Sequence, residues 1–110
     1  MGALASSGPY LADAPLAIAV VMEGSRMPQI DGTRAAECMM IAAWGEGIGS
    51  CWVLQIDRPK VKELLGIAEA AELVTIIPFG YPTEAEKAKK KVRKRLSKIA
   101  HKERFGQPFV

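Results

Sequence analysis

The chain has 110 residues, of which 49% are hydrophobic and 25% charged, enough for one small globular domain with a single core. Its longest apolar run, Ala14–Met22, is far too short to cross a bilayer, which argues against a membrane-spanning helix. The net charge of +3 is uneven, because residues 87–104 hold ten basic residues and one acid, whereas the remainder holds five basic and eleven acidic residues.

The first elements predicted are a flexible start and a strand. Residues 1–12 are rich in Gly, Ala and Ser, which is typical of a flexible start or of the end of a preceding helix. Ala14–Met22 is short, continuously apolar and contains Ile and Val, and this favours a buried strand over a helix. Gly, Ser and Pro in Glu23–Ile30 then predict a loop.

A helix over Thr33–Trp44 follows, with Asp31 as its candidate N-cap. Apolar and small residues recur at helical spacing and cover most of its faces, so we expect it to be deeply buried. Gly45 or Gly47 can end it, since glycine tolerates left-handed backbone angles.

The second half predicts two short strands separated by a short helix. Ser50–Leu54 is a candidate strand, and Asp57 is a candidate N-cap for an amphipathic helix over Lys60–Leu65 that stops at Gly66. Glu72–Phe79 is a second buried-strand candidate, in which Pro78 places the strand end at an edge or a bulge.

The chain ends in a basic segment. Glu84–His101 predicts a mostly solvated basic helix or an extended arm, and an acidic body with one basic segment favours a local anion site over a general nucleic-acid surface. Three strands form a thin sheet that cannot cover the whole apolar helix. This imbalance predicts a missing partner, either a second copy of the chain or an N-terminal part.

The cysteines and the histidine show no catalytic or metal-binding spacing. Cys38 and Cys51 lie in apolar runs without a CxxC pattern and are predicted to be buried thiols. His101 is the lone histidine and has no partner by spacing, so neither a catalytic residue nor a metal site is predicted. Residues 1–12 lack the basic start of a signal peptide, and we expect a soluble cytoplasmic protein.

Five blocks of sequence follow one another in order and at close spacing: DAPLAIAVV, AAECMMIAAWGEGIGSCWV, VKELLGI, ELVTIIPFGYP and KKKVRKRLSKIAHKERF. Together they resemble the C-terminal half of the nitroreductase family of FMN-dependent, NAD(P)H-using oxidoreductases. The resemblance implies an α+β nitroreductase-like core, with a small, mostly antiparallel sheet packed with a central buried helix. It also implies a single truncated domain over residues 1–110, with a basic C-terminal helix or arm over 84–110 and the N-terminal half of the family fold absent.

The resemblance also implies a flavin site. The segment after the glycines would lie along the flavin, and the basic residues near the C-terminus would hold the FMN phosphate. Carried onto this sequence, the implied cofactor-binding residues are Gly49, Ser50, Trp52, Val53, Leu54, Lys91 and Arg93. Arg95 stands where the family often has proline, which leaves the position of the phosphate-binding arginine open by two residues.

Two functions remain open at this stage. One is an FMN-binding, NAD(P)H-dependent oxidoreductase that passes electrons to a nitro, quinone or similar acceptor, either alone or with a separate N-terminal half. The other is a flavin-free remnant that acts as a dimeric structural or interaction protein, because the Arg-Arg-Ser segment that clamps the phosphate in the family has no counterpart here. The resemblance implies a homodimer in either case, with no nucleic-acid or membrane partner.

Overall fold

The computed structural model describes Ala5 and residues 9–109, which form an α+β fold around a three-stranded antiparallel sheet. Within these residues, no helix combines the length and the hydrophobicity needed to span a membrane. The predicted flexible start lies largely outside the described residues, and its described end forms a short 3₁₀ helix. In chain order the elements are a 3₁₀ helix Pro9–Asp13, β1 Leu16–Met22, α1 Pro28–Gly45, β2 Gly49–Ser50, α2 Arg58–Leu65, β3 Glu72–Gly80, α3 Glu84–Ala88 and a 3₁₀ helix Leu96–Lys98.

Strand β3 is the centre of the sheet, which has the order β1-β3-β2. It pairs with β1 from Leu16↔Phe79 to Met22↔Glu72, and with β2 only at its end, where Gly49 faces Gly80. All residues of β3 between its two ends are buried, as its continuous apolar run predicted. Pro78 stands inside this central strand rather than at its end, and β2 begins to pair only beyond it.

The two faces of the sheet carry two separate apolar clusters. Helix α1 covers one face, where Ala36 packs with Val74, Ile77 and Phe79. On the other face, Val61 of α2 packs with Val53, Leu73 and Ile76. The predicted strands and helices therefore form two layers around one thin sheet.

A β-bulge in the centre of the sheet joins these layers. The β1–β3 register shifts between Val20 and Val21, so Val74 has no residue opposite it. Gly32 of α1 packs directly on Val74, where an added Cβ would lie 2.5 Å from the Val74 Cγ2. On the other side, Arg58 donates from Nε to the Leu73 carbonyl and from Nη2 to the Val74 carbonyl, both at 2.9 Å. The bulge is thus held by α1 and by the first residue of α2.

Helix α1 differs from its prediction in its start and in its burial. It begins at Pro28, five residues before Thr33, because proline suits the first helical turn, and Asp31 lies inside that turn rather than at the N-cap. Deep burial was wrong for the single chain, since Ile41 is 63% and Trp44 65% exposed. One thin sheet covers only one side of an 18-residue helix.

The prediction of two buried thiols was also wrong, as Cys38 and Cys51 are both exposed and free. Cys38 lies on α1 and Cys51 lies directly after the edge strand β2. The apolar neighbours of each cysteine in sequence gave no information about which side of the element faces the sheet.

Of the predicted strand Ser50–Leu54 only Ser50 is paired, as the second residue of β2. Beyond it the chain crosses to the opposite face, where Val53 is fully buried and its carbonyl accepts a hydrogen bond from the Thr75 hydroxyl at 3.0 Å. Helix α2 begins at Arg58, two residues before the predicted Lys60, and its two ends agree with the prediction. The Asp57 side chain accepts from the Lys60 amide, and Gly66 has the left-handed conformation.

The basic segment is helical only over Glu84–Ala88 and in one 3₁₀ turn, and it is exposed almost throughout. The acids of α3 pair with neighbouring lysines, Glu84 with Lys87 inside the helix and Glu86 with Lys89 directly after it. Beyond Lys89 the run of like charges opposes a helix, since equal charges three or four residues apart repel.

Replacing Gly32 by Ala should lower the free energy of unfolding by about 1–3 kcal/mol, because the new methyl group would overlap Val74. Urea denaturation followed by circular dichroism measures this change. Gly45→Ala, at the other end of α1, is the matched control, since an added Cβ there meets no atom within 4 Å. Equal effects at both positions would show that the close approach of α1 to the bulge has no energetic role.

Candidate functional site

A cavity of about 390 Å³ lies where the end of α1, strand β2 and the basic segment meet. Its volume falls in the range of small-molecule sites, roughly 300–1,000 Å³. Four of its lining residues lie on α1, which we call the wall, two form β2, which we call the floor, and one is a lysine of the basic segment. The lining residues are Glu37, Met40, Ile41, Trp44, Gly49, Ser50 and Lys91.

The turn between α1 and β2 fixes two sides of this cavity relative to each other. The amide of Gly47 donates to the Trp44 carbonyl at 2.9 Å, and the amide of Ile48 donates to the Ala43 carbonyl at 2.9 Å. Gly47 has a φ of +77°, which an L side chain rarely adopts. This turn leads directly into Gly49, whose pairing with Gly80 anchors the cavity floor to the end of β3.

Lys91 lines the cavity and belongs to the basic segment that follows α3. Strand β3 stops at Gly80, Thr83 caps α3 by accepting from the Glu86 amide, and the chain leaves α3 with extended backbone angles at Lys89. Among the described residues Lys91 makes no ion pair, whereas Lys87 and Lys89 pair with acids of α3. The positive charge of Lys91 is therefore available to a ligand.

The structure brings together three of the seven residues that sequence reasoning proposed, namely Gly49, Ser50 and Lys91. Trp52 is half-buried and packs against the apolar cluster between α1 and the sheet. Val53 is buried in the opposite cluster, and Leu54 is exposed outside the cavity. Arg93 is exposed and, within the described part of the chain, has no ion pair or hydrogen bond.

Four residues of the cavity were missed, and all of them lie on α1. Glu37, Met40, Ile41 and Trp44 recur at intervals of three and four residues, which places them on one helix face. The sequence interpretation assigned this face to a buried core. A glutamate within an otherwise apolar stripe was the one signal that the face borders water.

The cavity combines one positive and one negative side chain with an apolar wall. Lys91 supplies one positive charge and Glu37 one negative charge, and the two do not form an ion pair. Met40, Ile41 and the Trp44 indole form an apolar wall. A ligand with an anionic group and a flat apolar body can use both parts, provided that its anion lies at Lys91 and away from Glu37.

Outside the cavity, Tyr10 and Cys51 form a polar contact that ties the first 3₁₀ helix to the end of β2. The Tyr10 hydroxyl lies 3.1 Å from the Cys51 sulfur. The pKa of Tyr10 is raised, mainly by this hydrogen bond. Partial burial and the negative charge that the Cys51 thiol can carry raise it further. A raised pKa favours the neutral phenol, so this contact stabilises the fold below the ordinary pKa of tyrosine and is lost as the pH rises through the higher value.

Comparison with known proteins places the site in context. The family model for the nitroreductase family matches residues 5–81. An FMN-dependent nitroreductase from Clostridium difficile R20291 is 25% identical, with a TM-score of 0.76 over 91% of this chain and 64% of that one. A Bacteroides thetaiotaomicron protein described as an NADH dehydrogenase/NAD(P)H nitroreductase is 25% identical, with a TM-score of 0.75 over 94% of this chain and 64% of that one.

A nitroreductase with bound FMN from Bacteroides fragilis is 30% identical, with a TM-score of 0.63 over 76% of this chain and 49% of that one. The chain thus spans between 49% and 64% of the length of these three solved chains. No curated protein sequence matches it.

Removing the Cys51 thiol should lower the pKa of Tyr10 toward its usual value of about 10, because the hydrogen bond that favours the neutral phenol is lost. Ultraviolet absorbance of the tyrosinate, followed against pH, measures this shift in a Cys51→Ala variant. The chain has two tyrosines, Tyr10 and Tyr81. The Cys51→Ala variant and its reference protein should therefore both carry Tyr81→Phe, so that only the Tyr10 signal is measured. An identical Tyr10 pKa with and without the thiol would contradict the contact.

Proposed function

The chain belongs to the nitroreductase family, and we propose that it binds FMN in the cavity at the end of α1 and acts as an NAD(P)H-dependent oxidoreductase. The observation that carries this proposal is the meeting of Lys91 with Gly49 and Ser50 around one cavity, although about 40 residues of chain separate them. In this proposal Lys91 contacts the FMN phosphate and Gly49 and Ser50 lie along the flavin edge, so the cofactor needs these residues close together.

The donors around the cavity fit a flavin mononucleotide. The Lys91 ammonium suits a phosphate as a point charge, and the Ser50 hydroxyl can donate to an oxygen of the ligand. The apolar α1 wall suits the ring system. Glu37 requires the phosphate to lie at the Lys91 end, since its carboxylate repels an anion.

Arg93 extends the positive side of the cavity in this proposal. The segment from Lys89 to Arg95 is not helical, and its two ends have extended backbone angles. Arg93 is exposed and lies two residues from Lys91 in this segment, and we propose that it reaches the same phosphate. Arg95 lies two residues further along, so the choice between the two arginines needs an experiment.

Bound FMN would supply the redox chemistry, which is hydride transfer from NAD(P)H and electron transfer to a nitro, quinone or similar acceptor. The residues of the chain would hold and orient it. Lys91 would neutralise phosphate charge, the β2 backbone would position the flavin edge, and Met40 with Ile41 would exclude water from one side. We propose no side chain as acid, base or nucleophile.

We also propose that a second copy of the chain covers an apolar hollow between α1 and strands β1 and β3. This hollow has a volume of about 290 Å³ and is almost wholly apolar, and it is lined by Leu16, Ile18, Met39, Ala42, Ala43, Ile48 and Phe79. Exposed apolar surface of this kind is typical of protein interfaces. Further flavin contacts would come from this second copy or from a separate N-terminal part.

This apolar surface also supports the second candidate function, a flavin-free dimeric structural protein. A dimer through α1 needs neither Lys91 nor the cavity. The two candidates differ in one observable property, because only the oxidoreductase requires the purified protein to bind FMN and absorb light in the flavin bands.

Replacing Lys91 by Ala should weaken FMN binding about 10-fold, because a charge-assisted contact to the phosphate is lost. Riboflavin has the same ring without the phosphate, and its affinity should not change. Isothermal titration of both ligands, at low salt, measures the two effects. Arg93→Ala and Arg95→Ala, measured in the same way, decide which arginine acts with Lys91.

Lys94→Ala is the matched control, because Lys94 carries the same charge in the same segment but does not line the cavity. Equal losses of FMN affinity at Lys91 and Lys94 would indicate a general charge effect rather than a phosphate site. Failure of the unaltered protein to bind FMN would favour the flavin-free candidate.

Replacing Ala42 by Glu should shift the protein from dimer to monomer, because a carboxylate would enter the apolar hollow that the second copy is proposed to cover. Native mass spectrometry and sedimentation report the change. Ala88→Glu, on the exposed helix α3, is the control for adding an acid to a helix. A dimer that survives Ala42→Glu would place the interface elsewhere.

A further inference from the structure

The two tryptophans of the chain occupy different environments. The Trp44 indole lines the cavity and is 65% exposed, although it is one of the largest apolar side chains of the protein. Trp52 is half-buried and packs on the cluster between α1 and the sheet. Only one of the two indoles is therefore accessible to a ligand in the cavity.

The backbone of Trp44 is held at the edge of the cavity. Trp44 lies in the last turn of α1, and its carbonyl accepts from Gly47 in the turn that leads to β2. The starting point of the Trp44 side chain is thus fixed relative to the cavity floor at Gly49. Met40 and Ile41, one turn earlier on the helix, extend the same wall, so Trp44 is part of a built surface rather than an isolated exposed ring.

We propose that Trp44 is the aromatic wall of the flavin site, and that it contacts the isoalloxazine ring in the position that sequence reasoning gave to Trp52. This inference rests on the proposed function. The occupant follows from the charges of the cavity, because a ligand anchored by its anion at Lys91 presents the remainder of its body to the α1 wall. For FMN that remainder is a flat aromatic ring, which an indole face suits better than an aliphatic chain does.

A ring contact has a different signature from a phosphate contact. Loss of the indole should weaken FMN and riboflavin equally, by about 2- to 10-fold, because both ligands carry the same ring. A neighbouring indole also quenches flavin emission. The flavin bound to a protein without Trp44 should therefore fluoresce more strongly than the flavin bound to the unaltered protein.

The experiment compares Trp44→Leu, Trp44→Phe and Trp52→Phe with the unaltered chain. Affinities for FMN and riboflavin are measured by titration, the emission of the bound flavin is recorded, and the oligomeric state is checked by native mass spectrometry. Circular dichroism confirms that each variant is folded. We expect Trp44→Leu to lose affinity for both ligands and to raise flavin emission, Trp44→Phe to recover most of the affinity, and Trp52→Phe to change neither.

Three results would overturn the inference. Unchanged affinity and emission in Trp44→Leu, with normal FMN binding, would remove Trp44 from the site and leave the proposed function standing. A change in oligomeric state without a change in flavin binding would assign the indole to the interface between two copies. Absence of FMN binding in the unaltered protein would remove the proposed function, and the inference with it.

Discussion

The structure depends on one close contact, in which α1 meets the bulge of the central strand. Gly32 allows the helix backbone to approach Val74, and the Arg58 guanidinium satisfies the carbonyls of Leu73 and Val74 from the opposite face. Charged donors to carbonyls form stronger hydrogen bonds than neutral ones. Because helix, strand and guanidinium are fixed at this point, the direction of α1 is set, and with it the position of its last turn thirteen residues later.

The candidate site lies at the far end of the same helix. The turn through Gly47 couples Trp44 to Gly49, and β2 joins Gly49 to the end of β3, so three elements converge on the cavity through short hydrogen-bonded connections. Only Lys91 arrives from a segment without regular structure. The apolar wall and floor are therefore rigid parts of the fold, whereas the positive charge is carried by a longer connection.

The elements that local patterns define were predicted from the sequence, whereas those that depend on packing were not. The buried strand at Glu72–Gly80 follows from its apolar run, and α2 follows from Asp57 and Gly66 at its ends. The early start of α1 at Pro28 and the exposure of its outer side depend on which face the sheet covers. No periodicity shows this when apolar residues surround the helix. The meeting of Lys91 with Ser50 was implied only by resemblance to a family, since no local signal links positions so distant in the chain.

The order of the elements also has a consequence for folding. Strand β1 must find β3 across a separation of 50 to 63 residues, and the cavity needs both α1 and the segment beyond β3 in place. Strands so distant in the chain pair slowly. The intervening chain loses conformational entropy when its ends meet, and this loss comes before the contacts between the strands can compensate for it. A ligand that recognises the finished cavity would then select completed molecules from partly folded ones and shift the population toward them. Ligand occupancy would in that case report the fraction of chains that has reached the native topology.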